Sequence, residues 1–297
     1  QTNIQIIQQS VLVEFQALNV FLAQHHPIVE QEIRTLYAHT MSRVYVAQFR
    51  TYLSSLARLK LQDTATSRDV IVPPVESTAV ESAYARMTTA MGITTPKISF
   101  KDRGNIFSLC DRDAILQNLD QEPMVCHTHQ NEKYHEEVIF RSEQRLLLDT
   151  ATAEFLFLGD FFCVDDAQQV ALFHEVFGKT LTLFRESLDL HLSVSFDAVG
   201  FLLMIHIVEH LKQSCERRRI ESCLSQYFDH LLVLLWPRLK SVLDANLDSL
   251  KNAHPTMMDI TSTQPHICSR RFAEFVASLS ILIMRFLLWI FFASILL

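Results

Sequence analysis

The chain has 297 residues, 49% apolar and 20% charged, with 33 acidic against 26 basic side chains and a formal net charge of −7. A composition this apolar excludes a mostly disordered protein. The acidic balance argues against a nucleic-acid partner, which needs a basic face. Five glycines and eight prolines are few for this length, so an all-α fold is expected, with one large core or two smaller units in series.

Ile4, Ile7, Val11, Phe15, Leu18 and Leu22 step by three and four, which predicts a first amphipathic helix. His25-His26-Pro27 ends it, because the residue before a proline disfavours helical dihedrals. A second helix is expected from about residue 28 to 61, with Ile33, Tyr37, Met41, Val44, Phe49, Tyr52, Leu56 and Leu59 along one side. It would be about 50 Å long, and the two would pair as a helical hairpin over 1–61. Between 62 and 130 the pattern breaks down around Pro73-Pro74, Gly92, Pro96, Gly104 and Pro123, which reads as a linker. A short helix over about 75–91 is the one regular element expected there.

Helical periodicity returns near residue 131 and persists to about 251. Four helices are expected, with breaks near 162–166, 192–195 and 215–220. Val170, Phe173, Phe177, Leu181, Phe184 and Leu188 form one stripe, which needs a packing partner; the apolar segment 196–211 is the natural one. Asp165 with Gln168 three residues on resembles a capping box. The last of the four carries Phe228, Leu232, Leu235, Leu239, Val242, Leu247 and Leu250, and Pro237 inside it should kink it or mark a restart. After a loop at 256–265, a final helix begins near His266. The tail from Ser278 onward is almost wholly apolar apart from Arg285. A membrane anchor, a buried terminal helix and an altered end all remain open for it. The chain opens on Gln1, already inside a helical pattern and without a signal-peptide signature, so it is expected to be part of something longer.

The sharpest chemical motif is His206-Ile-Val-Glu209-His210, the H-x-x-E-H order in which two histidines of one helix bind zinc and the glutamate is the base. No downstream carboxylate stands out as a third ligand, and an amphipathic helix end gives the same pattern. Cys126, His127, His129 and His135 form a second metal-capable clump, without the paired spacing of a structural zinc site. Arg217-Arg218-Arg219 reads either as a solvated turn or as a contact for anionic headgroups. The six cysteines show no CxxC pair and are expected to be free thiols. Phosphate loops, nucleophile elbows and dinucleotide fingerprints are missing from the sequence. Neither an enzyme nor a cofactor is expected.

Several blocks resemble one family in order and spacing: FRSEQRLLLDTATAEFLFLGDFF, LFHEVFGKTL, LLWPRL at 234–239 and QPHICSRRFAEF at 264–275. The resemblance is to subunit fifty-two of the vacuolar-protein-sorting series, a component of the Golgi-associated retrograde protein (GARP) tethering complex and of the related endosomal recycling complex (EARP). It runs from about Ile4 to Leu279, and GNIFSLCDRDAIL at 104–116 resembles a short element of the family's linker. The resemblance implies an elongated helical rod. The periodicity divides this chain into a hairpin at 1–61, a linker at 62–130 and a bundle at 131–279. The apolar tail of doubtful origin at 280–297 departs from the family, which continues as a polar helical rod. The resemblance further implies a peripheral membrane protein on the cytoplasmic face of the trans-Golgi network and endosomes. There it would assemble with sister subunits and engage Rab-type GTPases and SNARE proteins. The other readings are a zinc-dependent hydrolase centred on His206, Glu209 and His210, and a tail-anchored membrane protein.

Overall fold

A computed structural model describes residues 2–61, 65–72, 104–126, 132–253 and 266–296. Among these are eight α-helices, here α1 (Thr2–Ile7), α2 (Gln16–His25), α3 (Pro27–Ala57), α4 (Glu136–Phe162), α5 (Asp166–Val194), α6 (Ala198–Arg218), α7 (Glu221–Lys251) and α8 (Ile267–Leu296). No strand occurs among the described residues; Lys60 and Tyr134 form an isolated bridge. The all-α expectation holds. The proposed helix at 75–91 lies outside the described residues, as do His127, His129 and the loop at 256–265.

The boundaries follow local chemistry. Pro27 occupies the first turn of α3, where its missing N–H costs nothing. Glu136 and Glu137 open α4, at the positive end of its dipole. Cys163 closes α4 in the left-handed conformation, φ 50°, and its N–H reaches the Gly159 carbonyl at 3.1 Å. Asp165 caps α5 by accepting from the Gln168 amide at 2.8 Å, one half of the expected capping box. The four helices expected between 131 and 251 are α4 to α7.

One local reading needs correction, and one of two alternatives at Pro237 falls. The first helix is not continuous to residue 22: a π-helical turn at Gln8–Leu12 and a 3-10 turn at Val13–Phe15 separate α1 from α2. The π turn opens at Gln8, whose side-chain amide is drawn into a buried polar network described below. Pro237 neither ends nor restarts its helix, since α7 runs through it from Glu221 to Lys251. The carbonyl that proline leaves without a helical donor belongs to Val233, which is exposed, so water can satisfy it.

Contacts divide the chain into two units. Unit 1 comprises Gln1–Lys60, Leu119–Leu190 and Ile207–Val233. Its core is built on the α5 stripe, where Phe173, Phe177, Phe184 and Leu188 are all buried. Phe173 and Phe177 stack with ring centroids 5.0 Å apart. Tyr45 of α3 lies 4.6 Å from Phe177, Phe49 meets Phe184 edge-on at 5.1 Å, and Phe155 of α4 meets Phe173 at 5.9 Å. Within this unit the stripe therefore finds partners on α3 and α4, from distant sequence.

Unit 2 comprises Leu61–Asn118, His191–His206 and Leu234–Leu297. Val199, Phe201, Leu203, Met204 and Ile205 are almost wholly buried, as an all-apolar helix segment requires. Ala65, Val70, Ile71, Val72, Phe107, Leu109 and Ile115, from the irregular stretch 62–130, are buried too. Their backbone is held by side chains: Asn246 accepts from the Ile71 amide at 3.2 Å and Ser278 from the Leu109 amide at 2.8 Å. The expected α7 stripe holds at Phe228, Leu235, Leu239 and Val242, all buried, and departs only near its end, where Asn246 is buried and Leu247 exposed. Asp197 caps α6 through the Gly200 amide at 2.9 Å and holds Arg112 in a two-pronged ion pair at 2.5 and 3.2 Å. A β-carbon on Gly200 would stand 2.7 Å from the Asp197 carboxylate and 2.9 Å from the Arg112 guanidinium. The pair depends on glycine there.

Phe177 has no exposed surface and rings on both sides. Phe177→Ala should lower the unfolding free energy by about 3–5 kcal/mol, read as a fall in the urea midpoint. An unchanged midpoint would remove the stripe from the core.

Candidate functional site

The H-x-x-E-H residues all lie on α6, but the structure does not assemble them as a ligand set. His206 belongs to unit 2 and is buried. Its Nδ1 lies 2.8 Å from the Leu202 carbonyl of its own helix, and its ring meets Phe286 edge-on at 4.6 Å. Burial pushes its pKa below the ordinary value, against the carbonyls of Leu202 and Leu282. His210 belongs to unit 1 and hydrogen-bonds through Nε2 to Asp120 at 3.1 Å. Glu209 is raised above the ordinary carboxylate range by burial, with Lys212 opposing. Among the described residues, no three of His, Cys, Asp and Glu gather as metal ligands. The motif lies in the middle of α6 and not at its end, with His206 buried and Glu209 and His210 half-buried. The second clump, around Cys126, falls largely on residues outside the described set.

One residue of the arginine run joins an ionic network in unit 1, while Arg217 and Arg219 are exposed. Arg218 pairs with Asp149 at 2.8 Å, and Arg217 donates to the Ser214 hydroxyl at 2.8 Å. Arg145 bridges Asp149 at 3.2 Å and Asp120 at 3.1 Å. The hydrogen bond from His210 is the chief influence holding the Asp120 carboxyl below its ordinary value. Cys215 and Cys223, which flank the run, are buried, and burial pushes both thiols up to about 12. All six cysteines are free.

Sequence reasoning missed a buried carboxylate. Glu154 of α4 has no exposed surface. Tyr37 donates to one of its oxygens at 2.7 Å; Tyr45, at 2.6 Å, and Gln8, at 2.7 Å, donate to the other. Gln8 also donates to the Tyr37 hydroxyl at 2.8 Å. The donors lie more than a hundred residues away in sequence, so no local signal could have found them. Gln16 adds a bond to the Asp160 carbonyl at 2.7 Å and Asn19 one to the Phe161 carbonyl at 3.2 Å. The N-terminal helices are therefore fastened to α4 by amides and hydroxyls.

Their apolar residues face the other way. Ile6, Ile7, Val11, Phe15, Leu18, Phe21, Ile28 and Leu36 are all exposed. By length and composition the stretch Ile4–His25, mean hydropathy 1.3, could cross a membrane. A single such helix is weak evidence, and the polar anchors to α4 hold it to protein. A second exposed apolar face lies on α8, at Phe272, Val276, Ile283, Met284 and Leu287. The opposite side of α8 is packed within unit 2. Leu282 is fully buried, Ser278 donates to the Phe107 carbonyl at 3.0 Å, Phe286 meets Trp236, and Arg285 pairs with Asp113 at 2.8 Å. Over this part the apolar tail is a packed helix with one open face, and its charged residue has a protein partner. The anchor reading gains no support.

Residues 39–287 match the family described as Vps52, C-terminal. The chain belongs to the Vps52 family. It is 37% identical over 280 residues to vacuolar protein sorting-associated protein 52 A of Arabidopsis thaliana, covering 94% of this chain and 37% of that protein. To the human homolog it is 32% identical over 282 residues, with the same coverages, and to the Saccharomyces cerevisiae protein 25% over 306 residues, covering 91% and 46%. The chain thus spans well under half the length of these relatives. The Vps52 match extends into the apolar tail, which the sequence alone had set outside the resemblance. No solved structure matches the chain.

Tyr45→Phe should cost about 2 kcal/mol of stability, the range for a hydrogen bond to a charged group. Burial raises Glu154 above its ordinary 4.5 while the three donors lower it. A raised carboxyl stabilises the fold fully below the unfolded value and loses that contribution as pH climbs through the folded one. Removing a donor raises the folded value further, so the fall of stability above pH 4.5 should be steeper in Tyr45→Phe. Parallel pH profiles of unfolding for the two proteins would contradict this.

Proposed function

We propose that the chain is a non-enzymatic helical scaffold, one part of a subunit of a GARP/EARP-type vesicle-tethering complex in transport from endosomes to the trans-Golgi network. Membership in the Vps52 family supports the assignment. The observation that carries it is the run of exposed apolar side chains from Ile6 to Leu36, on a segment that Gln8, Gln16 and Asn19 fasten to α4. A monomer rarely leaves a contiguous face of this kind open, and helical subunits bury such faces against one another.

The partners proposed are sister subunits of the complex, with a Rab-type GTPase and SNARE proteins as further ligands. The site of action is the cytoplasmic face of the trans-Golgi network and endosomes, with peripheral membrane attachment. Tethering in this reading is multivalent: several modest contacts on one scaffold raise the effective concentration of two membranes. Neither a catalytic nor a metal-binding role is assigned to His206, Glu209 or His210.

Co-expression with candidate sister subunits tests the reading. The wild-type chain should co-purify with at least one of them. Phe15→Asp, Leu18→Asp and Phe21→Asp together should abolish co-purification while leaving the helical circular dichroism signal intact. Co-purification that survives all three charges would move the interface elsewhere; a well-folded chain that binds no sister subunit would overturn the assignment.

A further inference from the structure

A concavity of about 510 Å³ in unit 1 is lined by Thr40, Ser42, Arg43, Val46, Ala47 and Arg50 of α3, among others, and by Lys179 of α5. Arg43 and Arg50 are seven residues apart, which sets them about 10 Å apart along one face of the helix. Ala47 between them is short and leaves the space open. On the facing helix a β-carbon at Gly178 would meet nothing within 4 Å.

The three cations meet at one hollow, and no acid stands among its lining. Arg43, Arg50 and Lys179 are exposed and form no ion pair among the described residues, whereas Arg34, Arg112, Arg145, Arg218, Arg270 and Arg285 all do. No carboxylate stands at helical spacing from Arg43 or Arg50, and Glu175, four residues before Lys179, is not paired with it. Three like charges round one hollow repel each other and persist at a cost unless a counter-charge arrives.

We propose that this concavity binds a phosphorylated polyol headgroup, with Arg43 and Arg50 gripping phosphate oxygens and Lys179 adding charge. Guanidinium forks match phosphate geometry, and an ammonium adds a point charge. The volume suits a small ligand. The walls are short aliphatic and hydroxyl side chains without an aromatic pocket, which suits a polar ligand better than the anchor residue of an acidic peptide. The site goes beyond the tethering assignment and does not depend on it.

The test is fluorescence anisotropy of the full chain with a labelled inositol trisphosphate. A second arm floats the chain with phosphatidylcholine vesicles carrying a phosphoinositide or, at matched charge, phosphatidylserine. The soluble probe should bind, weaken with salt, and lose at least about tenfold in affinity in the combined Arg43→Gln, Arg50→Gln, Lys179→Gln variant. The paired variant Arg217→Gln, Arg219→Gln should bind as the wild type does. Preferential flotation with phosphoinositide vesicles would make a membrane lipid the source; binding of the soluble probe alone would make it a free polyol phosphate. The proposal is overturned if the wild type binds neither, if the triple variant binds undiminished, or if polyglutamate displaces the probe as well as unlabelled inositol phosphate does. Failure here with intact co-purification of sister subunits would leave the scaffold assignment standing.

Discussion

Unit 1 is organised around a carboxylate taken out of water. Glu154 sits in the interior of a helical bundle, where an ionised group is tolerated only if its oxygens are fully engaged. The three donors that engage it come from two regions, Gln8 in the π turn and Tyr37 and Tyr45 on α3. None is local to α4. The carboxylate therefore fixes the register of α3 against α4 and pins the first helix at its irregular turn. Apolar stripes alone would leave those helices free to slide by a turn, because one leucine or phenylalanine replaces another at modest cost. The aromatic contacts from Tyr45 and Phe49 to the α5 stripe inherit the register that Glu154 sets.

In the N-terminal segment Gln8, Gln16 and Asn19 turn inward, onto Glu154 and the carbonyls of Asp160 and Phe161, while Gln5, Gln9, Glu14 and Gln24 stay in solvent. Phenylalanine, leucine and isoleucine residues of the same segment are left facing out. Hydrogen bonds orient the segment against its own chain, and the hydrophobic effect remains available to a partner. Helix α8 shows a related pattern, with Ser278, Leu282 and Arg285 facing its own unit and an open row from Phe272 to Leu287. A scaffold that must hold its shape before it assembles gains from separating the two kinds of interaction.

Much of this fold was legible in the sequence because it is written in short-range periodicity. The breaks between α4, α5, α6 and α7, the α5 stripe and the Asp165 cap all follow from residues within a few positions of one another. What periodicity cannot carry is pairing across the chain. The π turn at Gln8, the exposure of the first stripe and the burial of Asn246 in place of Leu247 each depend on a partner far away in sequence. The H-x-x-E-H motif shows the converse. Its spacing is right for a metal site, yet the ring of His206 is occupied by Leu202 and Phe286 and that of His210 by Asp120. Spacing gives the face of a helix; only the neighbouring elements decide what that face meets.

The two basic clusters carry the same lesson in electrostatic form. Arg217-Arg218-Arg219 is the densest run of positive charge in the sequence, and it drew attention as a headgroup contact for that reason. In the fold, Asp149 takes up Arg218, and Arg217 turns onto Ser214. Arg43 and Arg50 are separated by six residues and lie far from Lys179, so nothing in the linear text marks them as a group. Helical geometry puts the two arginines on one face, and packing brings Lys179 to the same hollow without bringing an acid with it. Charge density along a chain measures what must be neutralised. Charge left over after folding measures what remains to attract a ligand.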